Sequence, residues 1–277
     1  MLDQLLQGLD ITRGIVILAK ICDCCMSAFL AIKIKRNSKY ILNSLFCFAL
    51  IGWAIYIGTD TILYQLAPIN LFFFNFANLL RDIGMIGISL VPLGYILAAF
   101  LIKDGEEITF QQKKKRLFIA FIVNFAIIIG VIVNDSIVVY MKGTKIPIDP
   151  ATLPPTVPYS VNFDAVTING QIAFIFYMSY VAWYLAAIYL IFSVQKRKSG
   201  LEQRRAKFIM YGMLMIPVGI TYYVIIGFFK IPADIYAYLD ILGHIIWTLS
   251  PVLIYLGVRL QPTKVTVDSP EIENAQI

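Results

Sequence analysis

The sequence is poor in the groups that carry enzyme chemistry. It holds one histidine, His244, so no His-based zinc site of the intramembrane hydrolase type can be assembled. The four cysteines, Cys22, Cys24, Cys25 and Cys47, all fall in long apolar runs and none in an outer loop, which argues against a disulfide framework. Cys22-Asp23-Cys24-Cys25 has the composition of a metal cluster. On a helix, however, consecutive residues point in different directions and cannot all ligate one ion. A Gly-rich phosphate loop, GxSxG and HExxH are missing. These absences lead us to expect no enzyme activity, no metal and no cofactor.

Charge is scarce too, at 14% of residues, while 59% are hydrophobic and the mean hydropathy is +0.77. Soluble domains run at roughly 45–50% apolar. The composition therefore points to a multi-pass protein of the cell membrane, in contact with lipid. The net charge of +6 sits mostly in short loops, where it signals topology and not nucleic-acid binding. The first apolar segment lacks a small-residue cleavage site and reads as a retained span.

Hydropathy predicts an all-α bundle of seven transmembrane helices over about 11–32, 40–65, 75–102, 117–140, 171–192, 208–229 and 235–255. Residues 1–260 form one transmembrane domain, and 261–277 are expected to be a short cytoplasmic tail. The loops after spans 1, 3 and 5 carry four, five and six lysines and arginines, whereas the alternate loops carry few. This bias predicts an outside N-terminus and a cytoplasmic C-terminus. The outer loop 141–170 contains five prolines. Its first half should be extended or turn-like, and its second half, TVPYSVNFDAVTI, should form one short strand or a small hairpin. It is a lid or a plain connector. Between spans 5 and 6 a break is expected at Ser199-Gly200.

Span 7, IYAYLDILGHIIWTLSPVLIY, places Asp240, His244, Trp247 and Pro251 on one helical face. It has no lysine, which excludes a retinal pigment with the usual Schiff-base linkage. Span 3 lacks Asp-Arg-Tyr at its inner end, so the animal-type receptor signature is missing too. Ionisable groups inside a bilayer are costly and usually face a bundle interior or a watery cavity. Asn75, Asn78, Asp82 and Ser89 share one side of span 3, with Arg81 beside them. Arg13, Lys20, Asp23 and Ser27 form a stripe on span 1, where Lys20 and Asp23 are a candidate charge pair. Span 4 adds Asn134 and Asp135 near its outer end, and Asp60 closes span 2. Tyr177, Tyr180 and Tyr184 line one face of span 5.

Together these residues suggest an outward-open polar cavity between helices 3, 4, 5 and 7. Asp82, Arg81, Asp135, Asp240 and His244 would be its polar anchors, and Tyr177, Tyr180, Tyr184 and Trp247 its walls. Carboxylates exceed cations in the spans, which favours a small cationic or neutral ligand. The other reading of each pair is interhelical glue. Pro92 in span 3, Pro217 and Gly219 in span 6, and Pro251 in span 7 are candidate hinges or static kinks.

Four stretches resemble the seven-helix sensory region found at the N-terminus of many prokaryotic histidine kinases. They are LLRDIGMIGISLVPLGYILAAFLI, IIGVIVNDSIVV, EQRRAKFIMYGMLMIPVGI and LSPVLIYLGVRL. The resemblance covers about Ile41 to Leu260 and implies a receptor domain that senses an external or membrane-borne signal. Such regions precede a catalytic output domain, and here only a short tail follows span 7. The expectation is therefore a stand-alone receptor-like sensor acting through a cytoplasmic signalling protein. A solute or proton-coupled transporter is the alternative.

Overall fold

The computed structural model describes residues 11–36, 40–66, 77–105, 114–133, 137–141, 144–146, 159–163, 168–227, 229 and 233–260. Among these residues there are seven α-helices: α1 (Ile11–Arg36), α2 (Ile41–Thr61), α3 (Ala77–Asp104), α4 (Lys114–Val133), α5 (Ile168–Arg197), α6 (Gly200–Gly227) and α7 (Ala233–Arg259). The helix α2 runs on into a π-helical turn, Ile62–Leu66. Five of the helices hold stretches long and apolar enough to cross a membrane: Gly14–Arg36, Ile41–Thr61, Leu79–Asp104, Met178–Arg197 and Ile235–Arg259.

Burial is distributed as in a helical membrane protein. Large apolar side chains point outward all round the bundle, among them Leu18, Phe29, Phe118, Phe125, Leu185, Ile225 and Ile245. Polar ones turn inward: Lys20, Asp23, Ser27, Arg81, Ser89, Asp240 and His244 are all buried. In water this arrangement would expose far more apolar surface than a monomer tolerates, whereas in lipid it costs nothing.

Each of α1, α2 and α3 packs on the next, α3 packs on α5, and α5, α6 and α7 continue the ring. The ring closes where α7 meets α1, and α4 lies against α3 and α5 outside it. The most deeply buried helix is α3, every residue of which from Val91 to Ala99 is buried. Small residues allow the helices to approach closely. A Cβ added at Gly52 of α2 would stand 2.5 Å from the Gly87 carbonyl oxygen of α3, and one at Gly87 would stand 2.8 Å from that of Gly52. The pair α6 and α7 repeats the device. Gly212 and Gly257 seat Ile254 and Ile209, while Gly219 and Gly243 seat Trp247 and Tyr223. The core beneath is apolar and aromatic, with Phe46, Trp53, Tyr95, Met213, Ile216 and Ile254 fully enclosed.

Helix ends follow local chemistry. Gly105, at φ +82°, ends α3 with its N–H on the Leu101 carbonyl at 2.9 Å, and Gly200, at φ +58°, marks the break between α5 and α6 at the expected place. Helix 4 is shorter than hydropathy suggests: it ends at Val133, not Tyr140. The apolar run after Asn134-Asp135-Ser136 forms strand β1 (Ile137–Met141). Hydropathy cannot separate this run from the span, but its β-branched and aromatic residues favour a strand. It is the centre of a three-stranded antiparallel sheet, with β2 (Thr144–Ile146) on one side and β3 (Tyr159–Phe163) on the other. The register sets Val139 opposite Ile146 and Val161. The fold is thus helical with a small sheet built from strands between Ile137 and Phe163. The second half of the 141–170 loop supplies one strand, which pairs backwards onto β1.

Candidate functional site

A cavity of about 660 Å³ lies inside the helical ring. That is a size suited to a small organic molecule. The stripe Trp53, Tyr56 and Asp60 of α2 faces it, at the i, i+3, i+7 spacing of one helical face. Beside it, with Trp247 against Trp53, α7 presents Tyr236, Asp240, His244 and Trp247. Lys20 enters from α1, Ile88 and Pro92 from α3, Tyr180 and Tyr184 from α5, and Ile216, Ile220 and Tyr223 from α6. From Tyr236 to Trp247 the lining follows α7 for about 16 Å.

Two polar clusters meet in the cavity wall. In one, the Lys20 ammonium donates to Asp60 Oδ2 at 2.7 Å, with both side chains largely buried. In the other, His244 bridges two carboxylates. Its Nδ1 lies 3.2 Å from Asp23 Oδ2 on α1, and its Nε2 faces Asp240 Oδ1 at 3.9 Å on its own helix. Ser27 Oγ adds a long contact, 3.5 Å, to the other oxygen of Asp23. The Tyr223 hydroxyl donates to Asp240 Oδ1 at 2.6 Å and also reaches the Asp240 carbonyl at 2.9 Å.

Aromatic contacts hold these groups in place. Trp247 is packed by Tyr223 at 4.7 Å, by Trp53 at 5.1 Å and by His244 at 5.1 Å between ring centroids. Its indole N–H donates to the Ile216 carbonyl at 3.2 Å, next to Pro217 within α6. Across the cavity Tyr184 stands edge-on to Tyr95 at 5.7 Å. The buried hydroxyl of Tyr184 has no hydrogen-bond partner among the described residues, and the Trp53 indole N–H faces Asp23 without making a hydrogen bond.

Of the residues expected at the site, Tyr180, Tyr184, Asp240, His244 and Trp247 line the cavity. Arg81 and Asp82 do not: they are adjacent on α3 and pair with one another at 2.7 Å. Asp135, like Asn75 and Asn134, lies outside the described residues, as do the side chains of Tyr177, Asn78 and Arg13. Lys20 and Asp23 are not a pair. Three residues apart on α1, they reach different helices, Lys20 to α2 and Asp23 to α7. The walls come from helices 1, 2, 3, 5, 6 and 7, and α4, expected among them, supplies no lining residue among those described.

Tyr223, Tyr56, Trp53 and Tyr236 were not anticipated at the site. Their signal was spacing: Ile216, Ile220 and Tyr223 keep the helical interval on α6, as Trp53, Tyr56 and Asp60 do on α2. Cys22 and Cys25 face outward while Cys24 donates its thiol to the Ala54 carbonyl at 3.2 Å, so the three sulfurs diverge.

Compared with known protein families the chain matches none, and no curated protein matches its sequence. The class is therefore defined by architecture alone: a helical membrane protein whose ring of helices encloses an aromatic, carboxylate-bearing cavity.

Proposed function

We propose that the protein is a seven-transmembrane, receptor-like sensor of the cell membrane that binds a small ligand in the cavity and signals to a cytoplasmic partner. The observation that carries this reading is the convergence of Lys20, Asp60, Asp240, His244 and seven aromatic side chains on one cavity. Buried charge in a membrane is retained where it serves a site, and these groups come from five helices. The lysine and arginine bias of the loops supports an outside N-terminus and a cytoplasmic C-terminus. In that orientation the sheet lies outside and the turns at Gly105 and Gly200 lie inside.

A contact between the cavity and α6 supports this reading. Trp247 connects the cavity to α6 beside Pro217, and α6 runs to the basic turn, where a second cleft of about 190 Å³ opens among α2, α3, α5 and α6. Lys198, Glu202 and Arg205 are on its wall. A ligand that shifts Trp247 changes the packing of α6 on α7 and thereby the shape of that cleft.

The test is a thermal-shift screen of small molecules on the purified protein, repeated on Asp240→Asn and Asp82→Asn. A ligand should stabilise the wild type and Asp82→Asn and lose its effect on Asp240→Asn. Unchanged shifts in both variants would remove Asp240 from the site. A proton-coupled transporter is the second reading, favoured by the buried chain Asp240–His244–Asp23. Saturable, ligand-driven flux in liposomes would establish it and overturn the receptor.

A further inference from the structure

The cavity sorts its own charges, and the remainder defines a ligand class. Lys20 and Asp60 neutralise each other at 2.7 Å. Asp240 has no lysine or arginine at ion-pair distance; its nearest basic group is the His244 imidazole, 3.9 Å away and closer to Asp23, at 3.2 Å. One Asp240 oxygen accepts from the neutral hydroxyl of Tyr223, and its other oxygen has no hydrogen-bond donor among the described residues. The site therefore offers one carboxylate oxygen with free capacity at the cavity wall.

What surrounds that oxygen is aromatic. Tyr223 and Trp247 are packed ring against ring at 4.7 Å, with Trp53 edge-on behind them. Ring faces attract cations through their quadrupole, by about 0.5–2 kcal/mol each and most strongly when desolvated. The same faces provide apolar contact for an uncharged body. An anion would meet the Asp240 carboxylate in a medium that screens charge poorly.

We infer that the cavity recognises an organic ammonium: a cationic nitrogen held on Asp240, with an apolar, ring-sized body against Trp247 and Trp53. The buried Tyr184 hydroxyl, unpartnered among the described residues, supplies a second polar contact from α5. This inference rests on the reading of the cavity as a ligand site and is independent of whether the ligand triggers signalling. An ammonium group reaches such a site from a free amine or from a lipid headgroup. The chemistry recognised is the same.

The probes are 2-phenylethylammonium, its neutral isostere 2-phenylethanol, and the anion phenylacetate. Each is titrated against the protein in phosphatidylglycerol nanodiscs while tryptophan fluorescence is followed. The cation should quench saturably and bind at least tenfold more tightly than the other two. Asp240→Asn should weaken it at least tenfold, and Asp82→Asn should leave it unchanged. The comparison of the three probes on the wild type needs no variant and stands even if Asp240→Asn fails to fold. Equal binding of the alcohol or the anion overturns the assignment, as does a cavity that takes none of the three or an Asp240→Asn variant that still binds the cation normally.

Repeating the titration in phosphatidylethanolamine identifies the source. Weaker apparent binding marks competition by the lipid headgroup, and equal binding marks a free amine, and both outcomes support ammonium recognition. Cation-selective binding with saturable flux would leave the ligand class standing and overturn the receptor reading. A neutral or anionic ligand that stabilises the protein through Asp240 would do the reverse.

Discussion

His244 Nδ1 lies 3.2 Å from Asp23 Oδ2, a contact that joins the last helix to the first across 221 residues of sequence and closes the helical ring. Both side chains are buried, with 2% and 0% of their surface exposed, so neither group can recover its partner from water. Breaking a buried pair of this kind by removing one member costs about 3–5 kcal/mol in soluble proteins. In a membrane the unfolded reference state finds other partners and reduces the loss. Asp23→Ala and His244→Ala should each lower stability by about 2 kcal/mol, and the double variant should lose clearly less than the sum. Denaturant titration in mixed micelles measures all three. Strict additivity would show that the contact does not couple α1 to α7.

The face that each charged residue occupies was legible in the sequence, because helical spacing fixes it. The stripe of Asp240, His244 and Trp247 and, on α5, Tyr180 and Tyr184 sit on the cavity as their periodicity implies. Partner choice was not legible. Lys20 and Asp23 are three apart and on one face, the spacing of a local ion pair, yet the long lysine reaches Asp60 while the short aspartate one turn on lies level with His244. Spacing along one helix says nothing of the height at which another helix presents its groups. For the same reason Arg81 and Asp82 look like cavity residues in sequence and are not. The end of helix 4 was hidden because the apolar strand Ile137–Met141 adds to the hydropathy of the span before it.

Close packing of α2 on α3 makes a second expectation. A methyl at Gly52 would meet Gly87 backbone at 2.5 Å and Leu90 Cβ at 2.7 Å, and backbone cannot move aside cheaply. Six residues along the same helix, a methyl at Gly58 meets only Cys24 Sγ, at 3.6 Å, an ordinary contact. Gly52→Ala should therefore destabilise by about 1–3 kcal/mol through overpacking. Gly58→Ala should be neutral or slightly stabilising, since alanine favours the helix. Thermal melts of the two variants side by side decide it, and equal effects would contradict the α2–α3 packing.

At the turn between α5 and α6 the Lys198 ammonium lies 2.8 Å from Glu202 and holds its carboxyl below the usual glutamate range. A folded-state pKa lower than the unfolded one stabilises above the unfolded value, and the contribution fades as pH falls through the folded value. Glu202→Gln should thus cost a little at neutral pH and nothing well below pH 4, the unperturbed glutamate range being about 4.3. Both side chains are about half exposed, so solvent screening limits the cost at pH 7 to a few tenths of a kcal/mol. Melting curves of wild type and variant at pH 7 and pH 3 provide the check. A gap that widened on acidification would mean that Glu202 does something other than pair with Lys198.

Gly219 and Trp247 provide the sharpest link between packing and the cavity. A Cβ at Gly219 would fall 2.2 Å from Trp247 Nε1 and 2.5 Å from Cδ1. The indole has nowhere to retreat: Tyr223, Trp53 and His244 pack around it, and its N–H is bonded to the Ile216 carbonyl at 3.2 Å. Gly219→Ala must push the ring toward the cavity or spread α6 from α7. Either response should cost about 1–3 kcal/mol, shift the tryptophan emission, and weaken 2-phenylethylammonium. Adding Trp247→Ala removes the obstruction, so the double variant should lose less stability than the two single losses combined while ammonium binding stays impaired. If Gly219→Ala leaves the emission, the stability and the binding all unchanged, Trp247 is not seated on Gly219, and the proposed route from the cavity to α6 fails with it.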